Sequence, residues 1–153
     1  MSNPKKFIQK LNTSETLFGL DFGEKTIGIA VSDKSLTIAS PITTIKRKGN
    51  IKDFEELFKL IEEYKVGGLV FGFPLSLNGQ ENERTSKVRE FIKKLKLLKN
   101  MNIELYDERF SSDVIFKTFR KDLKSSTKIK KKIDQQAAAY ILQGFLDNAK
   151  INS

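Results

Sequence analysis

The spacing of apolar residues changes along this chain, and the change constrains the fold more than any other feature. Three apolar, strand-like segments come first, at 16–23, 27–33 and 36–45. The first two are separated by a tight turn, which predicts a hairpin. The third contains Pro41, which is typical of an edge strand. The amino-terminal part of the chain is therefore predicted to form three antiparallel strands.

After residue 50, helical and strand-like patterns alternate. Helical spacing is found around 54–61, 88–95, 114–123 and 133–145, and short apolar runs typical of buried strands at 67–73 and 103–107. A strand that follows a helix is usually parallel to its neighbour. The order βββαβαβαα thus predicts an α/β fold with a five-stranded mixed sheet, three leading antiparallel strands followed by parallel strands, flanked by helices.

The remaining segments predict a simple domain organisation. A chain of 153 residues suits one domain with its own core. Residues 1–15 are interpreted as a polar arm, 16–148 as a single domain and 149–153 as a tail. The segment 124–132 is rich in Lys and Ser and is predicted to be a mobile loop.

The chain contains neither histidine nor cysteine. Their absence excludes Ser-His-Asp and Cys-His catalysis and the usual zinc site. A catalytic metal would be held by carboxylate oxygen, which favours Mg²⁺ or Mn²⁺. A chain without cysteine also fits the reducing cytoplasm. No apolar run approaches the roughly 18 residues of a membrane span, so no membrane partner is expected.

The net charge is +9, from 28 Lys and Arg against 19 Asp and Glu. A basic surface suits a polyanion such as nucleic acid. The excess is mostly Lys, and a compositionally biased genome would produce the same excess, so charge alone leaves both interpretations open.

Three carboxylates occupy unusual positions. Asp21 lies inside the first apolar strand, Glu108 closes the fifth, and Asp134 begins the last helix on its apolar stripe. A buried charge is unfavourable unless it is paired or bound to a cation. Singly, Asp21 can be a strand-end turn residue, Glu108 a partner of Arg109, and Asp134 a first-turn acid that complements the helix dipole. Together, three carboxylates that converge at the strand ends would form an oxygen-ligand metal site.

Four segments resemble the motifs of the YqgF/RuvX family of Holliday-junction-resolvase-like proteins, which are also described as pre-16S rRNA nucleases. They are LDFGEKTIGIA at 20–30, FGFPL at 71–75 with Asn78-Gly79, YDERFS at 106–111 and KIDQQAA at 132–138. The resemblance runs in order from about residue 16 to residue 147. The first segment also resembles the phosphate motif of actin-like ATPases and sugar kinases, which need a second lobe that a single domain does not supply.

The resemblance implies a ribonuclease-H-like fold and metal-dependent endonucleolytic hydrolysis of phosphodiester bonds. It places the catalytic and metal-binding acids at Asp21, Glu108 and Asp134, with two Mg²⁺ or Mn²⁺ ions. The implied role is 5′-end maturation of pre-16S rRNA, with structured RNA as the favoured partner. The alternatives are a Holliday-junction resolvase acting on DNA and a non-catalytic nucleic-acid-binding adaptor. Monomer and homodimer both stay open.

Several other polar residues are candidates for contact with nucleic acid. Lys25 and Arg109 lie beside the acids in sequence and are candidates to hold the scissile phosphate. Asn78 is a candidate contact or simply a turn residue. The basic segment adds Lys128, Lys130, Lys131 and Lys132. Each of these cations can equally be a solvated surface charge.

Overall fold

The computed structural model describes residues 3–108 and 127–151. Four helices and five strands lie within these ranges. In chain order they are α1 (Pro4–Gln9), β1 (Thr16–Phe22), β2 (Thr26–Ser32), β3 (Ala39–Lys46), α2 (Asn50–Glu63), β4 (Val66–Phe73), α3 (Glu83–Leu98), β5 (Asn102–Asp107) and α4 (Thr127–Ile151).

The five strands form one mixed sheet in the order β3-β2-β1-β4-β5. β1 pairs antiparallel with β2, and β2 antiparallel with β3, whereas β4 is parallel to both β1 and β5. The predicted sheet is therefore confirmed, and Pro41 lies on an edge strand as expected. β3 begins three residues later than predicted. The Asp33 carboxylate accepts the N–H groups of Thr37 and Ile38 and closes a turn before the strand.

Each face of the sheet carries its own hydrophobic core, because strand side chains alternate between the two faces. On β1, Phe18 and Leu20 pack with α2 and α3 in the larger core. Leu17 points the other way and packs with α1 and α4. The molecule thus has three layers, with the sheet between two layers of helices. No helix in the described ranges is long and apolar enough to cross a bilayer.

The prediction of a polar amino-terminal arm was wrong for part of 1–15. Residues Pro4–Gln9 form α1, which Asn3 caps by accepting the Lys6 N–H at 3.2 Å. Phe7 is buried, and its ring meets Phe145 edge-on at 5.6 Å between centroids. A six-residue helix is too short to show periodicity, and tertiary packing rather than local propensity stabilises it.

The predicted mobile loop at 124–132 was wrong for 127–132, which form the first turns of α4. The predicted tail was likewise wrong for 149–151, where α4 continues and Ala149 is buried. Lys is a good helix former, so the helix extends beyond its apolar stripe without needing apolar residues there. Residues 124–126 and the predicted helix at 114–123 lie outside the described residues.

Candidate active site

Asp21 lies one residue from the carboxyl end of β1 and is 4% exposed. It is two positions from Gly19 and four from Leu17, so its side chain points to the sheet face that α4 covers. Across the hairpin its register partner is Gly28. The prediction that Asp21 lies inside an apolar strand is confirmed, because its carboxylate is buried between the buried Leu20 and the partly buried Phe22.

Asp134 reaches the same place from α4 and is 5% exposed. The backbone of α4 lies so close to β2 here that a Cβ built on Gly28 would be 2.1 Å from the Asp134 carbonyl oxygen. The Thr26 hydroxyl donates a hydrogen bond of 2.6 Å to Asp134 Oδ2, which orients the carboxylate. Asp134 is the eighth residue of α4, so the interpretation as the residue that begins the helix was wrong, and so was the first-turn alternative.

Glu108 follows β5 directly and is half-buried. Its Oε1 lies 2.5 Å from the position that a Gly72 Cβ would occupy. Gly72 follows Phe71, the register partner of Leu20, so Gly72 is level with Asp21 on the next strand. Adjacent strands lie about 4.8 Å apart. Glu108 therefore lies over the neighbouring strand at the height of Asp21.

All three predicted acids thus share one face and one end of the sheet. Among the described side chains, however, no group of three or more carboxylates is close enough to enclose a metal ion. Asp21 and Asp134 both lie next to Gly28, one on the paired strand and one on α4, while Glu108 lies one strand away. The donor set still fits a hard divalent cation, because it consists of carboxylate oxygens and two of its members are buried.

Asp107 is a third buried aspartate at this end of the sheet, 3% exposed, and the sequence did not single it out. It pairs in register with Phe73. Tyr106 belongs to the core under α4, so Asp107, the next residue, points to the opposite face. Asp107 therefore lies on the opposite face of the sheet from Asp21 and Asp134, and no sequence signal indicated its burial.

A cleft of about 540 Å³ opens beside Asp134, between the β1–β2 turn and α3. Its lining includes five cations, which are Lys25, Arg47, Arg84, Lys87 and Lys94. Lys25 was predicted as a phosphate contact, and it does line the cleft. The other four were not predicted, because nothing in the sequence distinguishes them from ordinary surface cations.

Arg47 has a structural role in this cleft. Its Nε lies 3.2 Å from Asp53 Oδ2, and Asp53 is 1% exposed. The same guanidinium donates to the Gly23 carbonyl at 3.3 Å and stands 4.7 Å from the centre of the Phe22 ring. Arg47 therefore ties the turn after β1 to the start of α2 and satisfies a buried charge.

The Lys87 ammonium pairs with the Glu24 carboxylate and so joins α3 to the β1–β2 turn across the cleft. Its hydrogen bond and charge lower the pKa of Glu24, and Glu24 in turn raises the pKa of Lys87. Lys94 pairs with Glu90 at 3.2 Å along α3. Both pairs are exposed, so each contributes little to stability.

Asn78 is exposed and acts as a turn residue. Its Oδ1 accepts the Gln80 N–H at 3.0 Å, and Gly79 has a φ of +86°. Contact with nucleic acid remains a prediction for Asn78. Arg109 lies outside the described residues, and for Lys128, Lys130, Lys131 and Lys132 the description covers the helical backbone alone. Their roles also remain predictions.

Proteins from other organisms are similar in sequence to this chain over most of its length. A protein from Paramagnetospirillum magneticum is 41% identical over 145 residues, covering 95% of this chain and 94% of its own. One from Thermoanaerobacter pseudethanolicus is 43% identical over 136 residues, covering 88% and 97%. Both are named "Putative pre-16S rRNA nuclease".

Solved structures agree at the level of the fold. RuvC of Thermus thermophilus, in complex with a Holliday junction substrate, superposes with a TM-score of 0.53 at 9% identity, covering 84% of this chain and 91% of that one. At this identity the likeness concerns architecture alone, and it confirms the ribonuclease-H-like fold. The sequence model of the RuvX family, described as Holliday junction resolvase, matches residues 15–148. The chain therefore belongs to the RuvX family.

Proposed function

We propose that the protein is a metal-dependent endonuclease that hydrolyses phosphodiester bonds in the 5′-end maturation of pre-16S rRNA. One observation carries the proposal: two buried carboxylates, Asp21 and Asp134, lie at one end of the sheet on either side of Gly28, and Asp134 lines a cleft that contains five cations. The relatives that are about 40% identical over most of the chain carry the name of a pre-16S rRNA nuclease, which supports the choice of substrate. This role would place the protein in the cytoplasm.

Asp21, Glu108 and Asp134 would hold the metal, which we propose to be two Mg²⁺ or Mn²⁺ ions. Bound divalent cations would lower the pKa of an attacking water and neutralise charge on the leaving oxygen. A metal would also offset the burial of Asp21 and Asp134. The Thr26 hydroxyl keeps Asp134 Oδ2 in a fixed orientation. Removing a hydrogen bond that orients a metal ligand typically lowers metal affinity or activity 10- to 100-fold.

Lys25 is the predicted cation closest in sequence to Asp21, and it is exposed on the cleft wall. We propose that its ammonium neutralises a phosphate next to the bond that is cut. Arg109, Asn78 and the lysines at 128 and 130–132 remain further candidates for the same task. Neutralising Lys130, Lys131 and Lys132 together would weaken binding and flatten its salt dependence if they contact phosphates.

Asp21→Asn tests the proposed function directly. The variant keeps the size of the side chain and removes the charge, so we expect loss of Mg²⁺-dependent cleavage by at least about 100-fold. Binding to RNA in EDTA should stay as tight or become tighter, because one repulsive charge is gone. The matched control is Asp147→Asn, which makes the same change at an exposed position of α4. Cleavage at the wild-type rate by Asp21→Asn would contradict the metal site.

The substrate needs a separate comparison. Wild-type protein would be incubated with a precursor 16S rRNA and with a four-way DNA junction, side by side, with Mg²⁺, with Mn²⁺ and with EDTA. The description of the family favours junction resolution as the second candidate. Cleavage of the junction alone would support that candidate. Cleavage of neither substrate would support a non-catalytic adaptor and would overturn the nuclease proposal.

A further inference from the structure

We propose that Lys25, Arg84 and Lys87 form a phosphate-binding track that holds the nucleic-acid strand next to the cleavage site, and that Glu24 competes with the strand for Lys87. The inference rests on the proposed function and adds a binding surface to it. Arg84, Lys87 and Glu24 were not predicted to contact nucleic acid: Arg84 and Lys87 lie outside the four motifs, and Glu24 lies in the first motif without a predicted role. Their role follows from the shape and charge of the cleft.

The cations of the track face each other across the cleft. Lys25 lies on the β1–β2 turn, and Arg84 and Lys87 lie on the first turns of α3. Positions 84, 87, 91 and 94 share one side of a helix, and all four line the cleft. Arg84 and Lys87 are three positions apart, so the helix rises about 4.5 Å between them. That rise is close to the spacing of neighbouring phosphates along one duplex strand, about 3.4 Å of axis each.

The charge state of the cleft leaves room for an anion. Among the described residues, Arg47, Lys87 and Lys94 have carboxylate partners, whereas no salt bridge involves Lys25 or Arg84. The side chains of Lys87 and Glu24 are 44% and 73% exposed. An exposed ion pair contributes at most about 1 kcal/mol. A phosphate can therefore replace Glu24 as the partner of Lys87 at little cost.

A nucleic-acid backbone fits this cleft better than a single small anion. The cations are spread along the cleft rather than gathered at one point, and a guanidinium such as that of Arg84 matches phosphate oxygens in a bidentate manner. The cleft also reaches Asp134. A strand whose scissile phosphate lies at the carboxylates would therefore carry its neighbouring phosphates into the cleft.

The test is a binding measurement without catalysis. Fluorescence anisotropy would follow the binding of a labelled precursor-rRNA hairpin, and of DNA of the same sequence, in EDTA from 50 to 300 mM KCl. We expect Arg84→Gln to weaken binding about fivefold at 150 mM salt and to reduce the salt slope by about 1. Glu24→Gln should tighten binding severalfold. The matched control is Lys93→Gln, the same charge change at an exposed position of α3 outside the cleft lining.

The outcomes separate this inference from the proposed function. Equal affinities and slopes for Arg84→Gln and Lys93→Gln would overturn the track, even if the wild type cleaves RNA. A loss confined to RNA or to DNA would also overturn it, because both polymers have the same phosphates. Weaker binding by Arg84→Gln together with no cleavage by the wild type would uphold the track and reject the nuclease. Thermal unfolding of each variant would verify that its fold is intact.

Discussion

The backbone of α4 lies directly against Gly28, and replacing this glycine should displace a residue of the candidate active site. A Cβ at this position would lie 2.1 Å from the Asp134 carbonyl oxygen and 2.5 Å from its carbonyl carbon. Ordinary van der Waals contact begins at 3.4 Å. Both opposing atoms belong to the helix backbone, so no side-chain rotation relieves the overlap. Gly28→Ala therefore requires α4 to retreat by about 1.3 Å.

This displacement should affect both stability and catalysis. Overpacking of a core by one methyl group costs about 1–3 kcal/mol, and a backbone clash belongs at the upper end of that range. At about 3 kcal/mol, Tm should fall by roughly 10 °C for a domain of this size. Asp134 moves with the helix, away from Asp21 and from the Thr26 hydroxyl. A shift of about 1 Å in a catalytic group can lower the rate about 100-fold.

Two measurements check this reasoning, namely thermal unfolding by circular dichroism and the rate of rRNA cleavage well below Tm. The matched control is Gly68→Ala, on β4, which faces the same side of the sheet as Gly28. Its Cβ would meet the ends of the Phe7 and Leu17 side chains at 2.8 and 2.9 Å, which can move aside. We expect the control to lose about 1 kcal/mol and to keep its cleavage rate. A Gly28→Ala protein with wild-type Tm and cleavage rate would refute the close approach of α4.

Two further predictions concern single polar groups. Thr26→Val removes the hydrogen bond to Asp134 Oδ2 but keeps the β-branched shape, so half-maximal cleavage should need about 10-fold more Mg²⁺. Thr26→Ser keeps the hydroxyl and should stay close to wild type. An unchanged Mg²⁺ requirement in Thr26→Val would show that the hydrogen bond does not support Asp134. Burial raises the pKa of Glu104. The native state therefore loses stability as pH rises from the usual glutamate pKa through the raised one. Glu104→Gln should raise Tm more at pH 7 than at pH 4. An equal gain at both pH values would contradict the raised pKa of Glu104.

The order of the elements could be predicted because the relevant signals are local. Apolar runs on either side of a tight turn identified β1 and β2, and helical spacing identified α2 and α3. The errors arose where local signals were weak. The helix α1 is too short for a period, and the first turns of α4 are rich in Lys, which is compatible with loop and helix alike.

The candidate site was predictable in its residues but not in its arrangement. A charge inside an apolar strand is unusual by itself, so Asp21 could be recognised from its neighbours alone. The relation of Asp134 to Asp21 could not, because it depends on Gly28 allowing α4 to approach β2. The basic cleft was missed for a similar reason. Lys25 and Arg84 are 59 positions apart, and each alone resembles an ordinary surface cation.

The sequence alone determined which elements form and which chemistry is available. Spacing between near neighbours specifies strands and helices, and a chain with no histidine or cysteine leaves carboxylates as the metal ligands. Only the tertiary structure decided where those groups meet. The parallel register of β1 and β4 sets Glu108 level with Asp21, and the packing of α4 on Gly28 brings Asp134 beside them. Register and helix packing depend on contacts between distant parts of the chain, which the spacing of neighbouring residues does not record.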